Sequence, residues 1–366
     1  MSRKVNVISY VITMACLLVS IYLVINVCNQ KYVDTKLVTA MLYLGVGAII
    51  AGLVNTFIHE LGHIVVGKRN GFVFSAVTVW FFQWKKVKKK IRFFFVMFGE
   101  EAGYSEMIPA NVIDIAKSLK KMSLAGPFAS LIVAILGIPA LFITGLPLVV
   151  YALWSMLLPI GVYFFFSTLL PASTSGVLND GAVAYGIKKK TPSLQVAVNV
   201  LKIQQEMYNG KTPSQIDDKL YFDVPQLAED DLYFALLLNA RYLYYLDKED
   251  YENAKKISDR LLSISEYLPK EYVCQIKTDA LYNACTFDYN EDVADDLVYE
   301  LEKYLNNINT ATNVRAKLAY LLYVKRKKEN LDIFYKKGLK EAGRGQIKGL
   351  ALFEERLFEK LKNDFK

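Results

Sequence analysis

The sequence predicts a mainly α protein in two parts. A polytopic membrane helix bundle with a small membrane-associated β-hairpin comes first, and a cytosolic all-α domain follows. Three observations predict it. Hydrophobic residues make up 53% of the 366, yet the long uninterrupted apolar runs all fall within residues 1–187. Residues 188–366 are dense in Lys, Glu, Asp and Tyr, which places a boundary at Lys188-Lys189-Lys190. From residue 228 onward, apolar side chains recur at helical spacing.

A bilayer core needs about 20 apolar residues in helix. Residues 5–28 supply them without a charge. A cleaved signal peptide would have a shorter apolar region and a small-x-small site, and none precedes Asn29, so a retained anchor is expected. Residues 37–66 form the second run, which contains Glu60, the one charged residue set inside an apolar run. Residues 122–145 and 147–170 are the third and fourth, joined by a tight turn at Gly145-Leu146-Pro147. Between the second and third runs, Phe72 to Trp84 and Ile91 to Phe98 are aromatic and β-branched, with Lys85–Lys90 separating them. That pattern predicts a β-hairpin at the membrane surface.

The formal net charge is +8. Its basic clusters (Arg3-Lys4, Lys68-Arg69, Lys85–Arg92, Lys117–Lys121 and Lys188–Lys190) flank apolar runs, where they set topology. No base-reading motif accompanies them, so a nucleic-acid partner is not expected. With four spans, all these clusters fall on one side, and the other side holds only Lys31, Asp34, Lys36 and an uncharged turn. Both termini are therefore predicted to be cytosolic in a cell membrane, with the bilayer as a partner. Arginine supplies only 9 of the 44 basic residues, which hints at an AT-rich, bacterial genome. Cys16, Cys28, Cys274 and Cys285 form no C-x-x-C pair, which leaves no redox motif or cysteine metal site. Disulfides are not expected in the cytosol.

The soluble half predicts helices at Ala235–Tyr245, Tyr251–Leu262, Tyr272–Tyr282, Val293–Leu305, Arg315–Lys325 and Leu331–Leu339. Turn-like joints recur about 40 residues apart, a period that resembles a tetratricopeptide-like array able to bind a protein partner. The domain plan is thus 1–36 anchor and loop, 37–187 membrane core, 188–227 linker with short helices, and 228–366 helical domain.

The chemistry is concentrated at His59-Glu60-Leu61-Gly62-His63, an H-E-x-x-H sequence holding the only two histidines. Residues i and i+4 share a helix face, so two imidazoles can converge on one Zn²⁺. The intervening Glu60 is placed to take a proton from water held at such an ion. A charged residue in an apolar span costs several kcal/mol unless it has a role or a partner. A tetrahedral zinc needs a third protein ligand, and Glu100, Glu101, Glu106 and Asp180 are candidates. Asp180 follows Leu170-Pro171 and Gly176, where the helix must break. Broken backbone at membrane depth is tolerated only against protein or a watery cavity.

These residues resemble the site-2 protease family of intramembrane zinc metalloproteases. His59 to His63 is similar to that family's zinc-binding helix. Ala125-Gly126-Pro127-Phe128-Ala129-Ser130 resembles its A-G-P-x-x-N segment, with Ser130 in place of Asn. Leu170-Pro171 followed by Asn179-Asp180-Gly181 resembles its N-x-x-P…(L/S)-D-G segment, with Thr168 in place of the first Asn and Asn179 before Asp-Gly. Gly103-Tyr104-Ser105-Glu106-Met107 is similar to a G-G-Y-x-x-M stretch. The resemblance spans residues 40–187 and carries no inserted PDZ-like domain. It implies an endopeptidase with Glu60 catalytic and His59, His63 and Asp180 on zinc. It would hydrolyse peptide bonds in or near the transmembrane segment of a membrane protein or peptide precursor, near the cytosolic face. A helical substrate must be extended before attack, and the edge of the 72–98 hairpin can hold it by strand addition. Two alternatives stand beside this reading. One is a membrane scaffold with a structural or vestigial zinc site, which would not need Glu60; the other is a zinc protease whose last ligand is Glu100 or Glu101.

Overall fold

A computed structural model describes residues 3–87, 90–96, 103–174, 177–268, 270–327 and 329–364. The chain divides into two compact units: Met1–Lys86 with Ile91–Met107 and Asn111–Thr191, and Val87–Lys90 with Ile108–Ala110 and Pro192–Lys366.

In the first unit, α1 (Arg3–Lys31) and α2 (Leu37–Arg69) precede a sheet of β1 (Phe72–Val79), β2 (Phe82–Val87), β3 (Lys90–Phe95) and β4 (Gly103–Pro109). Then come α3 (Ile115–Gly137), α4 (Pro139–Phe142), α5 (Leu148–Ser155), α6 (Leu157–Leu169), the two-residue strands β5 (Ser173–Thr174) and β6 (Val177–Leu178), and α7 (Asp180–Lys189). Among the described residues, four helical segments are long and apolar enough to cross a bilayer: Asn6–Lys31, Leu37–Arg69, Ile115–Phe142 and Leu148–Leu169. They coincide with the four predicted runs. The fourth breaks at Met156, where Pro159 lacks the N–H that would bond Ser155.

Small residues bring the spans close. A Cβ on Gly47 would lie 2.5 Å from the Ala152 carbonyl, and one on Gly161 would lie 2.5 Å from the Ala134 nitrogen. Without a hydrophobic drive in lipid, such backbone approach is what lets helices pack. Polar anchors add to it. Tyr151, fully buried, donates to the Val24 carbonyl at 2.8 Å, and Lys31 donates to the carbonyls of Ala140 and Ile143 at 3.2 and 2.7 Å.

The expected hairpin is a four-stranded sheet in the order β3-β2-β1-β4. The stretch from Phe72 to Trp84, read as one arm, reverses on itself: Trp80 takes a positive φ of 56° and Val79 pairs with Phe82. A two-residue turn of this hand matches strand twist. The lysines read as a gap fall partly in strand, with Lys85 opposite Ala76. On one face Phe82 packs on Phe93 and Phe95, and Trp84 reaches Phe57 of α2.

The second unit is helical: α8 (Pro192–Tyr208), α9 (Lys219–Phe222), α10 (Leu232–Asp247), α11 (Tyr251–Ser263), α12 (Lys270–Cys285), α13 (Glu291–Asn307), α14 (Ala311–Ala319, continuing as a π turn to Val324), α15 (Leu331–Ala342) and α16 (Lys348–Asn363). Residues 188–227, read as a linker with short helices, include the 17-residue α8 with Leu194, Val196, Ala197 and Ile203 buried. A charged cluster joins α12, α14 and α16. Fully buried Arg315 donates to Glu354 at 2.8 Å and to Asp279 at 3.2 Å, beneath the Tyr282 ring. Burial, reinforced by Glu354 and only partly opposed by Arg315, pushes the Asp279 carboxyl up to about 6.

Candidate metal centre

Helical spacing puts His59 and His63 on one face of α2, with ring centroids 4.9 Å apart and both residues buried. Each ring is held by its Nδ1. His63 Nδ1–H donates to the Met122 carbonyl at 2.8 Å, and because a carbonyl only accepts, the neutral ring carries its lone pair on Nε2. His59 Nδ1 lies 3.0 Å from the Ser130 hydroxyl. Both Nε2 atoms then face Asp180, whose Oδ2 is 3.1 Å from His59 and 3.4 Å from His63.

These three ligand atoms lie within 4.8 Å of one another. A tetrahedral zinc with ligands about 2.0–2.1 Å away has ligand-to-ligand edges of roughly 3.3 Å. The two spacings to Asp180 match, and two imidazole nitrogens with one carboxylate are a donor set zinc accepts. Gly126 of α3 keeps the space between the nitrogens open. A Cβ there would stand 2.6 Å from His59 Nε2 and closer still to His63 Nε2. The residues present fit a zinc ion.

Asp180 reaches the histidines because the chain after α6 is fixed from both sides. Asn179 donates to the carbonyls of Ser167 and Leu170 at 2.8 and 2.7 Å, and its Oδ1 accepts from Ala172 and Ala182 at 3.0 and 2.9 Å. One side chain thus caps α7 and satisfies the broken backbone. Gly181 is required behind it, since a Cβ would overlap the Leu169 carbonyl. From α1, Ser9 donates to the Pro171 carbonyl at 3.0 Å, and Asn6 exchanges hydrogen bonds of 3.3 Å with Ser173.

Glu60 is buried beside the histidines, and β4 passes directly over it. The Ser105 side chain hydrogen-bonds to Glu60, and a Cβ on Gly103 would lie 2.7 Å from Glu60 Oε1 and 2.6 Å from Thr56 Cγ2. Glu106 is not part of the cluster, and Glu100 and Glu101 lie outside the described residues. Thr168 turns its hydroxyl back to the Phe164 carbonyl at 2.7 Å.

Three supporting roles lie outside the expected site: Asn179 as the cap, Ser130 behind His59, and Gly126 as the spacer. Asn directly before Asp-Gly at a helix start is an N-cap signature that marks the first. The other two lie in the Ala125–Ser130 segment, and their contacts depend on α3 crossing α2 at these turns.

The sequence profile of peptidase family M50 matches residues 8–333, most of the chain. No curated protein and no solved structure matches it.

Proposed function

We propose the following for a chain that belongs to peptidase family M50, the site-2 protease family of membrane metallopeptidases: it hydrolyses peptide bonds in or near the transmembrane segment of a membrane protein or peptide precursor. His59, His63 and Asp180 would hold the zinc, and Glu60 would move the proton. The observation that carries this reading is the convergence of two histidine Nε2 atoms and one carboxylate oxygen beside a buried glutamate.

Zinc, when bound, supplies Lewis acidity that makes water a nucleophile near neutral pH. The rest is the work of the chain. Glu60 accepts a proton from the attacking water and returns it to the departing amine. The buried helices around it keep other nucleophiles away. His63 lies six residues before the end of α2, about 9 Å along the axis at 1.5 Å per residue. The Lys/Arg bias would put that end at the cytosolic face, so the scissile bond would lie just inside it, with both termini cytosolic.

The sheet suggests how substrate is held. β1, with Val77 and Val79, is flanked by β2 and β4 and offers no free edge; the edge strands are β3 and β4. Of these, β4 touches Glu60, so strand addition is assigned to β4. The paired helices α10 with α11, α12 with α13 and α14 with α15 would form a tetratricopeptide-like surface for a protein partner.

A Glu60→Gln variant tests the main reading. It should keep zinc while uncut membrane peptides accumulate in cells that carry it, and those peptides would name the substrate. Membrane peptide populations identical to wild type would refute the proposal.

A further inference from the structure

Asn55 stands one turn before His59 on α2 and is fully buried, yet neither atom of its amide has a hydrogen-bond partner among the described residues. A buried polar group left unpaired is destabilising, because it has given up water for nothing. At hydrocarbon depth no bulk water relieves that cost. Its neighbour Thr56 solves the same problem locally, donating to the Gly52 carbonyl at 2.8 Å. Asn55 does not.

The register of α2 against α3 shows what Asn55 faces. The two helices run antiparallel: His63 bonds Met122, Gly62 abuts Ala125 and Ala129, and His59 meets Ser130. Continued by one turn along α2, this register brings Asn55 opposite the turn of α3 from Ser130 to Ala134. The residues there are Ser130, Leu131, Ile132, Val133 and Ala134, and only Ser130 has a polar side chain. Ser130 is itself fully buried.

The two histidines differ in what holds them. Met122 offers His63 a carbonyl, which only accepts, so the tautomer with a free Nε2 is fixed. Ser130 offers His59 a hydroxyl, which can donate as well as accept. For Nε2 of His59 to serve as a ligand, Nδ1 must carry the proton and give it to Ser130 Oγ. The Ser130 O–H must then point elsewhere and find an acceptor. The Asn55 amide oxygen is a buried acceptor without a donor among the described residues.

We propose that Asn55 is a positioning residue for the metal centre. Its amide takes the Ser130 O–H, by a side-chain rotation or through one internal water, and so holds the His59-to-Ser130 bond in the direction a metal ligand requires. Buried waters commonly join polar groups that lack partners in this way. Outer partners of metal-binding histidines typically change metal affinity 10–100-fold. The inference rests on His59, His63 and Asp180 being the zinc ligands.

The test uses the full chain purified in detergent, with zinc affinity read by chelator competition and site geometry by the visible absorption of the cobalt-substituted protein. Asn55→Leu and Ser130→Ala should each weaken zinc binding about 10–100-fold and alter the cobalt spectrum. The double variant should be no worse than the poorer single, because both break one chain of contacts. Ser130→Thr, which keeps the hydroxyl, should behave as wild type. Should Asn55→Leu fail to fold, Asn55→Ala carries the same expectation. Unchanged affinity and spectrum in the Asn55 variant, or losses that multiply in the double, would overturn the inference. A wild-type chain that binds no zinc would instead overturn the assignment of the ligands.

Discussion

A single methyl group at Gly126 should empty the metal centre. In Gly126→Ala the new carbon would stand 2.6 Å from His59 Nε2 and 2.5 Å from His63 Cε1, where carbon contacts are ordinary only from 3.4 Å. Something must give by about 0.9 Å, several times the roughly 0.2 Å tolerance of a metal–ligand distance. The rings cannot swing aside without leaving Met122 and Ser130. The α3 backbone cannot easily retreat either, since Gly62 and Ala125 are already in backbone contact. The fold itself should survive, because overpacking of this size costs about 1–3 kcal/mol. Zinc affinity should fall by more than the 10–100-fold typical of losing an outer partner alone. Metal content after dialysis against a zinc buffer, with helix content by circular dichroism as the control for folding, reads the result. A Gly126→Ala protein that keeps one tightly bound zinc would refute the steric reasoning.

Two further outcomes are expected. Gly103→Val pushes β4 off Glu60 and Thr56, so cleavage should slow by roughly 10–100-fold with zinc unchanged, given what about 1 Å of misplacement costs a reacting geometry; wild-type turnover would remove β4 from the substrate path. In the helical unit, folding raises the Asp279 pKa from its ordinary 3.8 to about 6, so the folded state binds more protons between those values. Stability should therefore fall as pH rises from about 4 to about 6, by about 1.4 kcal/mol per pH unit at most. Asp279→Asn should flatten that slope in hydrogen-exchange protection of α12, α14 and α16, corrected for intrinsic rates; a slope that persists assigns it to another group.

Much of the membrane unit is legible in the sequence because lipid imposes a simple rule: apolar length. The four runs, the turn at Gly145 and the break before Asp180 all follow from it. His59, Glu60 and His63 are legible because a helix repeats its face every four residues. The sheet is less so, since an aromatic run reads alike whether it continues or folds back, and only the backbone at Trp80 decides. The 17-residue α8 is hidden because three prolines in residues 188–227 suggest interruption, although Pro192 sits at the first turn of the helix, where proline is tolerated. Ser130 acts through a partner set by tertiary packing, beyond the reach of periodicity.

The bonds from Asn6 and Ser9 to residues 171–173 join the first span to be synthesised to the end of the last. Asp180 leaves the ribosome 121 residues after His59, roughly ten seconds later at ordinary elongation rates. During that interval the emerging helices offer two nitrogens and no carboxylate from α7. With His59, His63 and Asp180 as the proposed ligands, competence would be coupled to completed synthesis: a truncated or stalled chain would carry the H-E-x-x-H helix without the carboxylate that closes the centre around it.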